Sequence, residues 1–182
     1  GEWVVNEKTA FEMGLGSSVS GVRLCIAVKH VGMNILADPL ITSTIHTIGH
    51  GLVVIVGDDP NAIGSQNEQD SRYYGLLAEV PVFDPNPSTL FSSIIEAYRI
   101  SETIKTPAIV RVTERTLKSD GPDEYENKKI QTTEGYDRNM WNYSAHEKHM
   151  KFIRERYPIM LEFAENTHLN TIEGKGDVGI VS

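Results

Sequence analysis

Apolar runs of strand length alternate with helical patterns through the first two-thirds of the chain. Residues 22–28 (VRLCIAV) and 52–56 (LVVIV) are continuous apolar runs, the second closed by Gly57-Asp58-Asp59-Pro60. Residues 80–83 and 108–112 (AIVRV) read as two further strands, and residues 3–5 as a short extended start. Between them, residues 7–20, 31–48 and 69–77 read as helices. Asn86-Pro87 supplies a cap followed by proline at the first helical position. The helix it opens carries Leu90, Phe91, Ile94, Ile95 and Tyr98 on one amphipathic stripe. Strands that are apolar throughout and separated by helices indicate an α/β fold, a mostly parallel sheet covered by helices on both faces. An antiparallel sandwich would alternate polar and apolar positions and turn on pairs such as Asn-Gly, which this sequence lacks.

The pattern changes after Thr116. Residues 118–142 are polar and charged. Residues 145–166 return to helical spacing with Met150, Ile153, Tyr157 and Leu161, and Pro158 is expected to kink or split that helix. Residues 174–182 read as a turn leading into a strand. The expected organisation is an α/β domain over residues 1–117, a polar linker over 118–144, a helical arm over 145–168 and the start of a following domain over 169–182. Both ends are abrupt, which suggests a piece of a longer protein. No repeat of fixed period is visible.

Composition narrows the function. Of 182 residues, 40% are hydrophobic and 23% charged, enough apolar material for a core. Lys+Arg is 17 and Asp+Glu is 25, a net charge of −8, the wrong sign for a protein that coats phosphates. No apolar run approaches the roughly 20 residues of a membrane helix. One cysteine, Cys25, can neither close a disulfide within the chain nor alone supply a thiolate zinc site or an iron–sulfur cluster. No targeting segment is visible, so a cytoplasmic setting is expected.

In an open parallel sheet, ligands gather at the carboxyl ends of the strands. Asn6-Glu7, Lys29-His30-Val31-Gly32 and Gly57-Asp58-Asp59-Pro60 each follow a strand in this reading, so the three turns should share one edge. The run Ser65-Gln66-Asn67-Glu68-Gln69-Asp70-Ser71-Arg72 belongs to the connection after the third, and is unusually dense in hydrogen-bonding side chains. Each feature also has a plain structural reading. Glu7 can be an acidic partner of a helix dipole, and His30 a buried histidine with satisfied nitrogens. Asp58, Asp59 and Pro60 can be turn chemistry, and residues 65–72 a solvated loop and cap. His46 and His50 flank a turn around Gly49 and Gly51. Gly14, Gly16 and Gly21 have neither the spacing nor the position of a dinucleotide loop; small residues there suit close packing of a helix on the sheet. No cluster has metal-ligand spacing.

Several of these stretches resemble the alpha-chain family of the indolepyruvate ferredoxin oxidoreductases, thiamine diphosphate-dependent 2-oxoacid:ferredoxin oxidoreductases. The carrying residues are Asn6-Glu7-Lys8, Lys29-His30-Val31-Gly32-Met33-Asn34 with Ala37-Asp38-Pro39-Leu40, and Asp58-Asp59-Pro60. The most specific is the run of ten from Ser65 through Arg72 to Tyr73-Tyr74. His168-Leu169-Asn170, Glu173-Gly174 and Gly179-Ile180-Val181 also resemble that family's passage into its next domain. Residues 118–142 match least.

The resemblance implies most of a pyrimidine-binding domain without its first βα unit, expected to be inactive alone. The parent would decarboxylate aryl 2-oxoacids oxidatively, pass the acyl group to coenzyme A and send electrons through iron–sulfur clusters, located outside this segment, to ferredoxin. It implies thiamine diphosphate with Mg2+ as cofactor, a beta subunit as partner, and no nucleic acid or membrane. Thiamine chemistry uses a buried carboxylate at the pyrimidine ring, and Glu7 matches that residue. Lys29, Val31 and Gly32 would line the cofactor pocket. His30 would donate a proton or polarise the substrate. Gln66, Asn67 and Arg72 would contact the oxoacid, although Arg72 can equally stabilise its own loop. No metal ligand is expected in this segment. Alternatives are a subunit of a non-oxidative thiamine-dependent decarboxylase, or a non-catalytic assembly subunit. Exposed apolar edges are expected to make the isolated segment a homodimer.

Overall fold

The computed structural model describes residues 1–119, 134–171 and 174. The middle of the polar linker, 120–133, and the strand expected within 174–182 lie outside the described residues.

Four parallel strands form one sheet: β1 (Leu24–Lys29), β2 (Leu52–Asp58), β3 (Val82–Phe83) and β4 (Ala108–Thr113), in the order β1-β2-β4-β3. Helices α1 (Glu7–Val19), α2 (His30–His46), α3 (Tyr73–Ala78) and α4 (Leu90–Ile104) connect them, and α5 (Glu114–Lys118) follows the last strand. The α/β reading is therefore correct, with small shifts of boundary. One part of it fails: residues 3–5 are not in the sheet, and Trp3 and Val5 are fully exposed. Three residues with no paired neighbour gain no ladder hydrogen bonds, and Asn6 starts a helix at once. Its Oδ1 accepts from Lys8 N at 2.9 Å and Thr9 N at 3.3 Å, the N-cap arrangement that satisfies otherwise orphaned donors.

Side-chain alternation splits the core in two. Leu52, Val54 and Val56 of β2 face Phe11 of α1 and Met33, Leu36 and Leu40 of α2. Val53 of β2, with Ala108, Val110 and Val112 of β4, faces Ala97, Ile100 and Ile104 of α4. Gly14 allows α1 to lie close to the sheet, since a Cβ there would stand 2.9 Å from Ile26 Cδ1 and 3.1 Å from Leu52 Cδ1. This is the packing role expected of the small residues, in place of a dinucleotide loop.

The second face is covered unevenly. On α4, the deepest residues include Ala97, Ile100, Ser101, Glu102 and Ile104; of the expected stripe Ile95 is buried, whereas Leu90, Ile94 and Tyr98 are half-buried. Over β1 none of the described helices covers this face, and Cys25 and Ala27 are exposed. Among the described residues, the expectation that helices cover both faces therefore holds for β2 and β4 but not for β1.

The carboxyl-terminal helices are α6 (Ala145–Lys151) and α7 (Tyr157–Asn166), joined by a π-helical turn over Phe152–Arg156. Pro158 sits in the first turn of α7, where its missing N–H costs nothing. That is the split the proline leads one to expect. Helix α7 packs on the second face, with the Phe83 and Phe163 rings edge-to-face at 6.0 Å.

Candidate functional site

The strand register sets the carboxyl edge. Lys29 pairs with Gly57 and Asp58 with Thr113, so the turns after β1, β2 and β4 end level with one another. The edge is hollow: a cavity of about 400 Å³ is lined by Lys29, Asp58, Asp59, Ser65, Thr113 and Glu114 among others. The turn after β1 and that after β2 thus meet at one place, as the sequence suggests.

Glu7 reaches this region from the first residue of α1. It is half-buried, short of the full burial the sequence reading assigns to it. The reason is its place: it sits in the first turn of a helix that rises directly from the exposed segment 1–6. Its carboxylate lies over Gly32 in the first turn of α2. A Cβ at Gly32 would stand 2.9 Å from Glu7 Cγ and 3.1 Å from Glu7 Oε1. The lack of a side chain at 32 is what gives Glu7 its seat. Glu7 has no hydrogen-bond partner among the described residues.

His30 opens α2 and is completely buried. Its Nδ1 lies 3.4 Å from the Gly57 carbonyl, and its Nε2 lies 3.0 Å from Asn67 O and 3.2 Å from Asn67 Oδ1. Both ring nitrogens thus face carbonyl oxygens, which can only accept, and the contact at Nε2 is the shorter. Asn67 and His30 are thus brought together, although 37 positions apart. Lys29 turns away from Glu7 and donates to Gly64 O at 3.2 Å. Gln66 is exposed. Arg72 pairs with Asp70 at 2.7 Å and with Asp84 at 3.2 Å. The Arg72 guanidinium, through its hydrogen bonds, holds the Asp70 carboxyl below the usual carboxylate range.

Two residues of this edge, Arg111 and Asp84, were not singled out by the sequence reading, and Asp58 was weighed as a turn residue. Arg111 of β4 donates from Nε to Asp58 Oδ2 at 2.6 Å and from Nη1 to Asp84 Oδ1 at 2.9 Å. Asp58 has a side chain with no exposure, and it also accepts from Ser71 N at 3.0 Å and from the Ser71 hydroxyl. Asp58 is therefore more than a turn residue. The signal available was Arg111 itself: a lone arginine in an apolar strand needs a buried partner. A second cleft, about 490 Å³, opens between α3, β3 and α7, with Arg72 and Asp84 on its rim. Among the described residues, no group of three or more His, Cys, Asp or Glu side chains is placed to hold a metal ion. No described helix is long and apolar enough to cross a membrane.

A parallel sheet with helices on its faces defines an α/β domain, and its polar turns converge on a hollow carboxyl edge, the place where open parallel sheets in general gather ligands. No family model matches the chain. Along its whole length it is 35% identical to the indolepyruvate oxidoreductase subunit IorA of Thermococcus kodakarensis, and 34% to that of Archaeoglobus fulgidus. It is 30% identical to the same subunit of Methanothermobacter marburgensis. The chain spans 30%, 30% and 31% of the length of these three relatives, in that order. The chain is a homologue of one segment of the IorA subunits.

Proposed function

We propose that this chain forms the pyrimidine-binding side of a thiamine diphosphate-dependent oxidoreductase. The whole protein would decarboxylate aryl 2-oxoacids of the indolepyruvate type, with coenzyme A taking the acyl group and ferredoxin the electrons. A beta subunit would complete it. The observation that carries this reading is the seat of Glu7 over Gly32, in a chain that matches the IorA subunits from end to end.

When bound, the cofactor supplies the nucleophilic carbon and the electron sink. The residues present fit its pyrimidine end. Glu7 offers a half-buried carboxylate with no hydrogen-bond partner among the described residues, able to hold a proton at a ring nitrogen. Gly32 keeps the space beside it open, and Lys29 and Val31 flank that turn. The described residues offer no comparable set for Mg2+ and diphosphate, which are assigned to another part of the protein or to its partner chain. This segment alone should therefore bind thiamine diphosphate weakly.

The test is Glu7→Gln in the full-length protein, with indolepyruvate as substrate. Removing the ionisable carboxyl should cut turnover by roughly 10²–10⁴-fold, the usual contribution of a positioned proton-transfer group. Thermal stability should be nearly unchanged. If Glu7 only complements the helix dipole, the variant loses about 0.3–1 kcal/mol of stability and keeps its rate, and the proposal fails.

The uncovered face of β1, with Cys25 and Ala27 exposed, favours a second reading: a non-catalytic subunit that only assembles with others. Full turnover in Glu7→Gln would favour it.

A further inference from the structure

The loop that follows β2, residues 59–72, is bonded far more densely than a connection requires. Near its start, Asp59 accepts from Ile63 N at 3.1 Å and from Gly64 N at 2.7 Å. Glu68 accepts from Asn61 N at 3.0 Å, and Lys29 reaches Gly64 O. At its far end, Ser71 is held through both its N–H and its hydroxyl by Asp58, at the end of the sheet. Between these fixed points stands Asn67, on the buried ring of His30.

Asp58 can hold Ser71 only while it is itself held. Arg111 does this from the neighbouring strand. Positions 56 and 111 are paired in the register, and Asp58 lies two residues on, with its side chain on the same face. The second arm of Arg111 goes to Asp84 after β3, which also takes Arg72 at the loop's end. A chain of alternating charges, Asp58–Arg111–Asp84–Arg72–Asp70, therefore ties the loop to two strands. A buried ion pair contributes little net stability compared with well-packed apolar residues, and apart from Thr113 at the end of β4 the rest of β2 and β4 carries no polar side chain. The charges in this position call for a role other than filling the core.

We propose that Asp58 and Arg111 are positioning residues. They fix the loop 59–72 so that Asn67 engages Nε2 of His30, and thereby set whether that nitrogen is held or turned toward the site. This rests on the reading of the carboxyl edge as an oxoacid-oxidising site, since it assigns His30 work there. The residues act through Asn67 and His30 and touch no substrate themselves.

The test uses the full-length protein, with Asp58→Asn, Asn67→Ala and the neutral pair Asp58→Asn with Arg111→Gln. The readouts are amide exchange across 59–72 and 52–57, the nitrogen resonances of the His30 ring, and kcat and KM with indolepyruvate and coenzyme A. Asp58→Asn should speed exchange over 65–72 by about tenfold or more while strand amides keep their protection, as expected for local opening. The His30 Nε2 signal should move, and kcat should fall more than KM changes. Asn67→Ala should reproduce the His30 shift without loosening Ser71. The neutral pair removes the stranded charge, so it should fold even where Asp58→Asn does not. It should recover stability but not loop protection or kcat. Recovery of all three, or an unchanged loop and His30 ring in every variant, overturns the proposal. If the loop and the ring respond as stated but the wild type oxidises no 2-oxoacid, the positioning stands and only the activity reading falls.

Discussion

At the carboxyl edge of the sheet, Asp58 meets Arg111, and the pair continues outward through Asp84, Arg72 and Asp70. At the amino edge, Arg156 reaches inward from the π-helical turn before α7 and meets backbone. Its Nη1 donates to Thr44 O at 2.9 Å, Ile104 O at 3.3 Å and Lys105 O at 3.4 Å, and its guanidinium lies 4.9 Å from the Phe152 ring centroid. Burial pulls that guanidinium down to about 10. The carbonyls belong to the carboxyl ends of α2 and α4, where orphaned acceptors and the helix dipole favour a cation. One edge balances side-chain charge with side-chain charge, an arrangement that a moving loop can break and remake. The other balances a cation with fixed backbone dipoles, which suits a permanent anchor. The distinction separates the edge to which chemistry is assigned by proposal from the edge that holds α6 and α7.

The largest effect should come from stranding a charge at the carboxyl edge. Arg111→Met keeps much of the side-chain volume and leaves Asp58 buried without its cation. Breaking a buried pair in this way costs about 3–5 kcal/mol, read as a fall in the urea midpoint. A loss below about 1 kcal/mol would mean that Asp58 is not buried in solution as it is here, and the contrast between the edges would disappear.

Arg156→Ala comes next. It removes the donor shared by three carbonyls and the contact with Phe152. The expected loss is roughly 1–3 kcal/mol, the cost of leaving buried acceptors unsatisfied. Exchange should rise across α6 and α7 and at the last turns of α2 and α4, with the loop 59–72 unaffected. Arg156→Lys should recover part of the loss, because all three carbonyls are met from one nitrogen, Nη1, whose place an ammonium can take. Loosening of 59–72 in either variant would show that the two edges are coupled instead of independent.

These two sites differ also in how they could be read from sequence. The strands were legible because continuous apolar runs admit few alternatives. Asn86 marked a turn ahead of α4 and not its cap: its Oδ1 accepts from Ser88 N and Thr89 N at 3.0 Å each, and the helix itself begins at Leu90, after Thr89. The density of polar residues over 65–72 was legible as well, but not where they are spent. Asp58 and Arg111 are 53 positions apart, and only the strand order β1-β2-β4-β3 makes them neighbours. Arg156 lies in a stretch whose spacing reads as plain amphipathic helix. Its partners are backbone carbonyls, which leave no mark on side-chain pattern. The bare second face of β1 was hidden for a related reason, since a strand's own sequence does not record whether a helix covers it.

The smallest effect concerns pH at the amino edge, where a second cation is seated differently. Lys148 of α6 is 7% exposed and its ammonium lies 3.2 Å from His46 Nδ1. An ammonium has only hydrogens to give, so His46 must present a bare nitrogen. Burial first, and then the charge of Lys148, hold the imidazole below its ordinary range. Above about pH 6.5, the ordinary histidine value, the ring is neutral whether the chain is folded or unfolded, and the contact is intact. As pH falls through that value the unfolded chain takes the proton first, so stability declines. The decline stops once the folded ring is protonated as well. Tyr136 donates to the His46 backbone oxygen and leaves the ring to Lys148. Urea midpoints measured between pH 7.5 and 5.5 should fall for the wild type and fall less for His46→Gln, whose amide oxygen can accept from Lys148 at every pH. Equal slopes for the two proteins would place Lys148 elsewhere in solution. The amino edge would then rest on Arg156 without a histidine-linked contact beside it.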